Sequence, residues 1–328
     1  MNGAIVRRLT GATLLALVIL LSLAAAAGAA SAPGKAPAAR GAVSLIGAFT
    51  VNRQAVTVSG RSVEFRGVVR PYAPGQHTTI RVYLGGQLIK LERLAIKRSR
   101  GGTFGYFADR VITSGMGDIT VIALHSRTAH LGGFRIWRGY AVLSPAVSFG
   151  STGRFVELLQ QRLAALHFYI PQTGVYDTGT GLALDAYHRL LTWGTYQSLD
   201  SRTVTWLLNG WGEFKVRYPS DGKHAEGNLT NQLLALIDHG HVLSIYPISS
   251  GKPSTPTILG RFRVYRKQPG YLPDGMYFSA FFIGGYAIHG YNPAPDYPAS
   301  HGCMRVPIVD ALSIFNWIGM GDGVDTYF

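Results

Sequence analysis

A single cysteine, Cys303, stands in 328 residues. That count excludes an internal disulfide and leaves the thiol either packed as a small apolar group or used in chemistry. Acidic residues are also scarce: 17 Asp and Glu face 31 Lys and Arg, for a formal charge of +14. Such a balance favours an anionic partner, whether nucleic acid, a lipid surface or an acidic polymer. Nucleic-acid binding calls for a basic stripe interleaved with aromatics. The densest basic stretch, Lys97 to Arg100, is short and loop-like, so nucleic acid is set aside. Charged residues reach only 15% while apolar residues reach 47%. That composition does not fit a disordered chain and supports folded cores. At roughly 100 to 200 residues per domain the length predicts two or three of them.

Residues 1–32 carry Arg7 and Arg8, an apolar run from Leu14 to Leu23, and small residues ending in Ala29, Ala30, Ser31 and Ala32. This order predicts a secretory signal peptide. An uncleaved segment would instead anchor the chain in the membrane; either way the bulk of the protein is expected to be exported. Residues 33–41, rich in Ala, Pro and Gly, read as a linker. From 42 to 145 the apolar period is two: Ile80, Val82 and Leu84 alternate with Arg81 and Tyr83, and Ile119, Val121 and Ala123 repeat the pattern. An immunoglobulin-like β-sandwich is expected there. It carries no catalytic constellation, which suits a spacer or a wall contact.

The period turns helical in 149–209. Phe155, Leu158, Leu159, Leu163 and Leu166 share one face, Asp177 is placed to cap a second helix, and Ser201 to Leu208 reads as a third. Val156 to Gln160, the turn Gly174-Val175-Tyr176-Asp177, and Thr180 with Ala186-Tyr187 resemble the three-helix peptidoglycan-binding domain. That resemblance implies wall binding, against the plainer reading of a structural bundle. Residues 210–222, with Gly210, Gly212, Pro219 and Gly222, read as a second linker. From 223 to 328 a mostly-β domain is expected. It should hold a hairpin around Asp238-His239-Gly240-His241, a strand-rich stretch from Tyr277 to Ile288 kinked at Gly284-Gly285, and one helix between Pro307 and Ile318.

This last domain contains Ile288-His289-Gly290-Tyr291 and, after a Pro-rich loop, Ser300-His301-Gly302-Cys303-Met304-Arg305. A thiol is mostly protonated at neutral pH, and a neighbouring imidazole or guanidinium favours the nucleophilic thiolate. His289, His301 and Arg305 are candidates for that environment. Gly302 permits close backbone approach, so nearby amides could face an oxyanion. Zinc held by Cys303, His289 and His301 is a competing reading, with Asp296 or the His239 and His241 pair as further ligands. The spacing offers no convincing fourth ligand, so no metal or cofactor is assigned, and the His239 and His241 pair reads as a solvated turn.

The His-Gly dipeptide followed by Ser-His-Gly-Cys-x-Arg resembles the L,D-transpeptidase catalytic domain of the YkuD-like type. Ser249-Ser250-Gly251-Lys252, Thr255-Pro256 and Gly260-x-Phe262 extend the likeness over about Lys223 to Phe328. The resemblance implies that Cys303 attacks the third residue of a tetrapeptide stem of peptidoglycan, releases the terminal D-alanine and forms a thioester that a second stem's amine resolves. It makes His289 the general base, oriented by the Gly290 carbonyl. His301 shapes the site, and its amide with those of Gly302 and Cys303 forms an oxyanion hole. Arg305 holds the loop or meets a substrate carboxylate, and Ser300 is a structural hydrogen-bond partner. Only ten residues separate His289 from Ser300, which implies a trimmed loop and a changed acceptor channel. Two alternatives remain: an L,D-carboxypeptidase using the same thioester, and a non-catalytic wall-anchoring protein.

Overall fold

Strands in the first third of the chain alternate because every second residue is apolar. In β4 (Ser62–Arg70) Val63, Phe65 and Val69 turn inward while Arg66 and Arg70 face solvent. The computed structural model describes residues 38–328 apart from 113, 129 and 130. The predicted signal segment therefore lies outside the described residues, as does most of the first linker. Arg40 and Gly41, read as linker, instead open β1 (Arg40–Ile46), where they pair with Arg70 and Val69 of β4. The other strands of this region are β2 (Phe49–Val51), β3 (Gln54–Val58), β5 (His77–Leu84), β6 (Gln87–Ala95), β7 (Lys97–Arg98), β8 (Gly105–Ile112), β9 (Gly117–His125) and β10 (Phe134–Leu143). They form a four-stranded sheet, β1-β4-β8-β7, and a six-stranded sheet, β2-β3-β10-β9-β5-β6. Phe65, Phe107 and Val111 of the first sheet meet Ile80, Val82, Val121 and Tyr140 of the second in one core. Lys97 and Arg98, read as loop, pair with Tyr106 and Gly105.

Three helices follow. In α1 (Arg154–Ala165) the apolar face predicted from spacing is buried. Asp177 caps α2 (Thr178–Leu190), accepting from the Thr180 amide at 2.9 Å. Asp200 does the same for Thr203 at the start of α3 (Ser201–Asn209). Gly210 ends α3 in the left-handed region at φ 72°. This bundle shares cores with both neighbours. Phe155, Leu158 and Leu208 pack on Val51, Val56 and Leu143 of the six-stranded sheet. Leu163, Phe168, Leu184 and Tyr187 pack on Leu233, Ala235, Ile237 and Ile245 of the C-terminal region.

That region begins with β11 (His224–Asn228), β12 (Leu233–Asp238) and β13 (His241–Pro247), followed by β14 (Gly260–Arg263), β15 (Arg266–Tyr271), β16 (Tyr277–Ile283), β17 (Tyr286–Tyr291) and β18 (Met304–Pro307). Helix α4 (Ile308–Trp317) and β19 (Gly323–Tyr327) complete it. The β12–β13 hairpin turns at His239 and Gly240, and the His239 imidazole is solvent-exposed beside Asp238. Five strands run in the order β13-β12-β11-β19-β14 and four as β15-β16-β17-β18. The two sheets and α4 enclose a second apolar core around Leu234, Tyr246, Ile288, Met304 and Ile314. Gly284-Gly285 does not kink a single strand as the sequence suggested. It closes a hairpin between β16 and β17, with Ile283 opposite Tyr286. Among the described residues no helix is long and apolar enough to cross a membrane.

Candidate active site

β17 and β18 run parallel, pairing Ile288 with Met304 and His289 with Arg305. Strand alternation then sorts the side chains. Ile288 and Met304 enter the core, and His289, Arg305 and the flanking Ala287 and Cys303 take the opposite face. The parallel pairing thus brings the two halves of the motif together although ten residues separate His289 from Ser300. Gly290 lets α4 approach: a Cβ there would lie 2.6 Å from that of Ala311.

His289 is 2% exposed. Its Nδ1 lies 2.9 Å from the carbonyl oxygen of Gly290. A carbonyl only accepts, so Nδ1 carries the proton and Nε2 the lone pair. Burial depresses the imidazole pKa to about 4, with the charge of Arg305 acting in the same direction and the Gly290 bond opposing it. The ring is therefore neutral near pH 7, with a free basic nitrogen. Tyr291 meets it edge to face at 5.7 Å between centroids, and the Arg305 guanidinium stacks 4.0 Å from the Tyr291 ring.

The Cys303 thiol is half-buried beside Met276, Phe281 and Ala287. Its S–H donates to the Gly285 carbonyl at 3.6 Å. Burial pushes the thiol up from its ordinary value, outweighing the Ala287 amide and Arg305, which pull it down. The thiolate expected from the sequence is therefore not the resting form: thiol and neutral imidazole share the site. His301 is exposed, and its Nε2 accepts from the Lys252 ammonium at 3.3 Å.

Ser300 is fully buried and organises the loop. Its hydroxyl donates to the Cys303 carbonyl at 2.6 Å and accepts from the Gly302 amide at 3.0 Å. The Gly302 N–H is thereby committed, so it does not join an oxyanion hole in this arrangement. Gly302 is nonetheless demanded twice over. Its φ is +115°, and a Cβ would fall 2.0 Å from the Tyr286 ring. Segment 249–252 clamps the same loop: Ser249 and Arg305 exchange both backbone hydrogen bonds, and the Lys252 amide donates to the Ser300 carbonyl. The Ser249 hydroxyl donates to Tyr297 at 2.6 Å. Arg305 lies 3.5 Å from the Ala299 carbonyl, and its Nε is buried with no hydrogen-bond partner among the described residues.

Sequence reasoning thus named the residues at the centre and missed their surroundings. Lys252 was visible in its motif without a place in the site. Phe281, which the sequence offers only as core or cleft wall, lies beside Cys303, while Tyr286 over Gly302 and Asp274, whose charge reaches both His289 and Cys303 from the β15–β16 turn, carried no local signal. His239, exposed in the β12–β13 turn, is engaged with Asp238, and Asp296 lines a cavity beside Asp185 and Arg189. Among the described residues no cluster of His, Cys, Asp and Glu is arranged to hold a metal ion.

Comparison with known proteins bears on this geometry. Residues 222–325 match the family profile of the L,D-transpeptidase catalytic domain, YkuD. Among solved structures, the chain is similar to an L,D-transpeptidase from Xylanimonas cellulosilytica at 31% identity and a TM-score of 0.50, over 55% of this chain and 97% of that one. The catalytic domain of the Enterococcus faecium L,D-transpeptidase matches at 26% identity and a TM-score of 0.30, over 33% of this chain and 98% of that one. None of the curated proteins matches the chain.

Proposed function

The chain belongs to the L,D-transpeptidase family, and from that premise we propose that it cross-links peptidoglycan stems through a thioester on Cys303. The observation that carries this reading is the orientation of His289. Its Nδ1–H is held by Gly290, which leaves Nε2 as the base on the face of β17 that Cys303 shares.

On this route the stem carbonyl approaches Cys303 Sγ while His289 Nε2 removes the thiol proton. The S–C bond forms as the peptide C–N bond breaks, and the imidazolium returns the proton to the departing D-alanine amine. An acceptor amine then attacks the thioester and loses a proton to Nε2. The new amide forms, and sulfur leaves to be reprotonated. Because thiol and imidazole both rest uncharged, the charge separation arises only as substrate binds. Arg305, whose Coulombic effect favours both the thiolate and the neutral imidazole, stabilises the sulfur anion. The Gly302 amide serves the loop, so amides of His301 and Cys303 are left to face the oxyanion.

The helical bundle is read as a wall-binding module and the two-sheet region as an immunoglobulin-like spacer. Residues 1–32 are read as an export signal, placing the enzyme outside the cytoplasmic membrane among anionic wall polymers. The test is incubation with disaccharide-tetrapeptide and mass analysis of products. The expected product is a cross-linked dimer lacking one D-alanine. Tripeptide alone would mean that water, not an amine, resolves the thioester, and the proposal would give way to a carboxypeptidase.

A further inference from the structure

The helical bundle covers the six-stranded sheet only at its β2-β3-β10 end, where Val51, Val56 and Leu143 lie under Phe155 and Leu158. The rest of that outer face is open. Ile80, Val82 and Val121 point into the sandwich core, so by alternation their neighbours Arg81 and Ile122 point outward. Strand register then builds a grid. Trp137, Ile122, Arg81 and Leu91 stand side by side across β10, β9, β5 and β6. One step along the strands, the row begins with Arg135 and ends with Arg93; one step the other way, it begins with Gly139 and ends with Leu88.

Two properties of this grid have no use inside the fold. Trp137 is 64% exposed and Leu91 61%, and Leu88 and Ile89 on the same edge strand are 47% and 42% exposed. The indole leans along its strand over Gly139, where a Cβ would come 3.8 Å from the ring. Single exposed apolar residues are ordinary, but a contiguous set marks a contact surface. Arg81, Arg93 and Arg135 are exposed as well, and none of them makes a hydrogen bond or an ion pair among the described residues. Of the two acids in β5, β6, β9 and β10, Glu92 stands opposite Ile80 on the inner side, where it pairs with Lys90, and Asp118 lies one row beyond Gly139. The arginine charges on the grid are therefore uncompensated.

A face that is cationic and apolar at once narrows the occupant. A second copy docking face to face would set arginine against arginine. A soluble anionic polymer answers the arginines but leaves the aliphatic side chains and most of an indole in water. A bilayer with anionic headgroups answers both: its phosphates meet the guanidinium groups, while the indole and the aliphatic side chains enter the headgroup boundary. We infer that the open outer face of β10-β9-β5-β6 is a docking surface for an anionic lipid membrane. Position in the chain agrees, since of the described regions the sandwich, opening at Arg40, is nearest in sequence to the apolar run from Leu14 to Leu23. The inference does not rest on the transpeptidase reading, because docking is measured without turnover.

Cys303 is the only thiol, so the full chain carrying Cys303→Ala accepts an environment-sensitive nitrobenzoxadiazole label at one chosen position. The label is placed on Leu91→Cys and, in a separate protein, on Arg66→Cys, which faces solvent from the four-stranded sheet. Vesicles are phosphatidylcholine alone or with about 30% phosphatidylglycerol. The expected result is emission that rises at least threefold on Leu91→Cys with the anionic vesicles, and stays unchanged with the neutral ones and on Arg66→Cys. Replacing Arg81, Arg93 and Arg135 by Gln, or adding about 0.5 M NaCl, is expected to weaken vesicle partitioning read at Leu91→Cys at least tenfold. Circular dichroism melts establish that each variant is folded; should the triple variant fail to fold, the salt series decides alone. Binding through residues 1–32 leaves the Leu91→Cys label unchanged and would overturn the inference. An equal response on Arg66→Cys, an equal response to neutral vesicles, or a rise with protein concentration in the absence of lipid, the mark of a second copy, would each do the same.

Discussion

Cys303 and His289 gain their character from burial as much as from each other. A free imidazole titrates near 6.5, whereas burial brings His289 down to about 4. Its basic form, with Nε2 available, is therefore present above about pH 4 and is lost as the pH falls through that value. The acid limb of the acylation rate is accordingly expected near 4, followed by stopped-flow tryptophan fluorescence with a stem analogue. A limb near 6.5 would show that His289 is solvated or is not the base. Alkylation of Cys303 by iodoacetamide should rise at a higher pH than that of free cysteine, since the buried thiol is pushed up. The contiguous run from Ser300 to Arg305 and the His289-Gly290 pair were legible because local motifs carry them. Burial of the thiol was not, since a sequence lists neighbours without saying how much water they exclude. The commitment of the Gly302 amide to Ser300 was equally hidden, because it depends on where one hydroxyl points.

Among the elements, α2 does the most to join the parts. Arg189 reaches from it to the carbonyls that flank β12 and β13, while its charge is met by Asp185 one turn earlier. Replacing one member of a buried pair strands the other, at a cost of about 3–5 kcal/mol. Arg189→Met is expected to lose stability on that scale in urea unfolding, and Asp185→Asn added to it should recover part of the loss. A change below about 1 kcal/mol would mean that the pair is solvated. Capped helices and the β12–β13 hairpin were readable from Asp177 and from the His239-Gly240 turn, whose residue types act locally. The β16–β17 hairpin was not, because a two-glycine turn inside a continuous apolar run leaves the same trace as a kink.

Across the whole molecule the helical bundle is a structural partner of the five-stranded sheet of the C-terminal region. Phe168 extends the edge of β13: Tyr169 donates to Ile245 at 3.0 Å, and Ile245 donates to His167 at 2.8 Å. Leu233, Ala235, Ile237 and Ile245 are all at most 1% exposed under this cover. A chain starting at residue 222 would bare that apolar face, and patches of this kind promote association. It is expected to aggregate or to bind a hydrophobic dye strongly, whereas a chain starting at residue 38, which keeps both faces of the bundle covered, stays monodisperse in size-exclusion chromatography. Equal behaviour of the two would contradict the shared core. The order of regions could be read from the change of apolar period, but their fusion could not, since one buried stripe looks the same whether it packs within its own domain or on the next.

The central claim is that Cys303 is acylated by a stem with His289 as base. Intact-mass analysis of the full chain mixed with a tetrapeptide stem, beside Cys303→Ala and His289→Ala, tests it most directly. The wild type should gain the mass of the stem less D-alanine, Cys303→Ala should gain nothing, and His289→Ala should acylate at least a hundredfold more slowly. An adduct that persists in Cys303→Ala, or a folded wild type that never forms one, would contradict it.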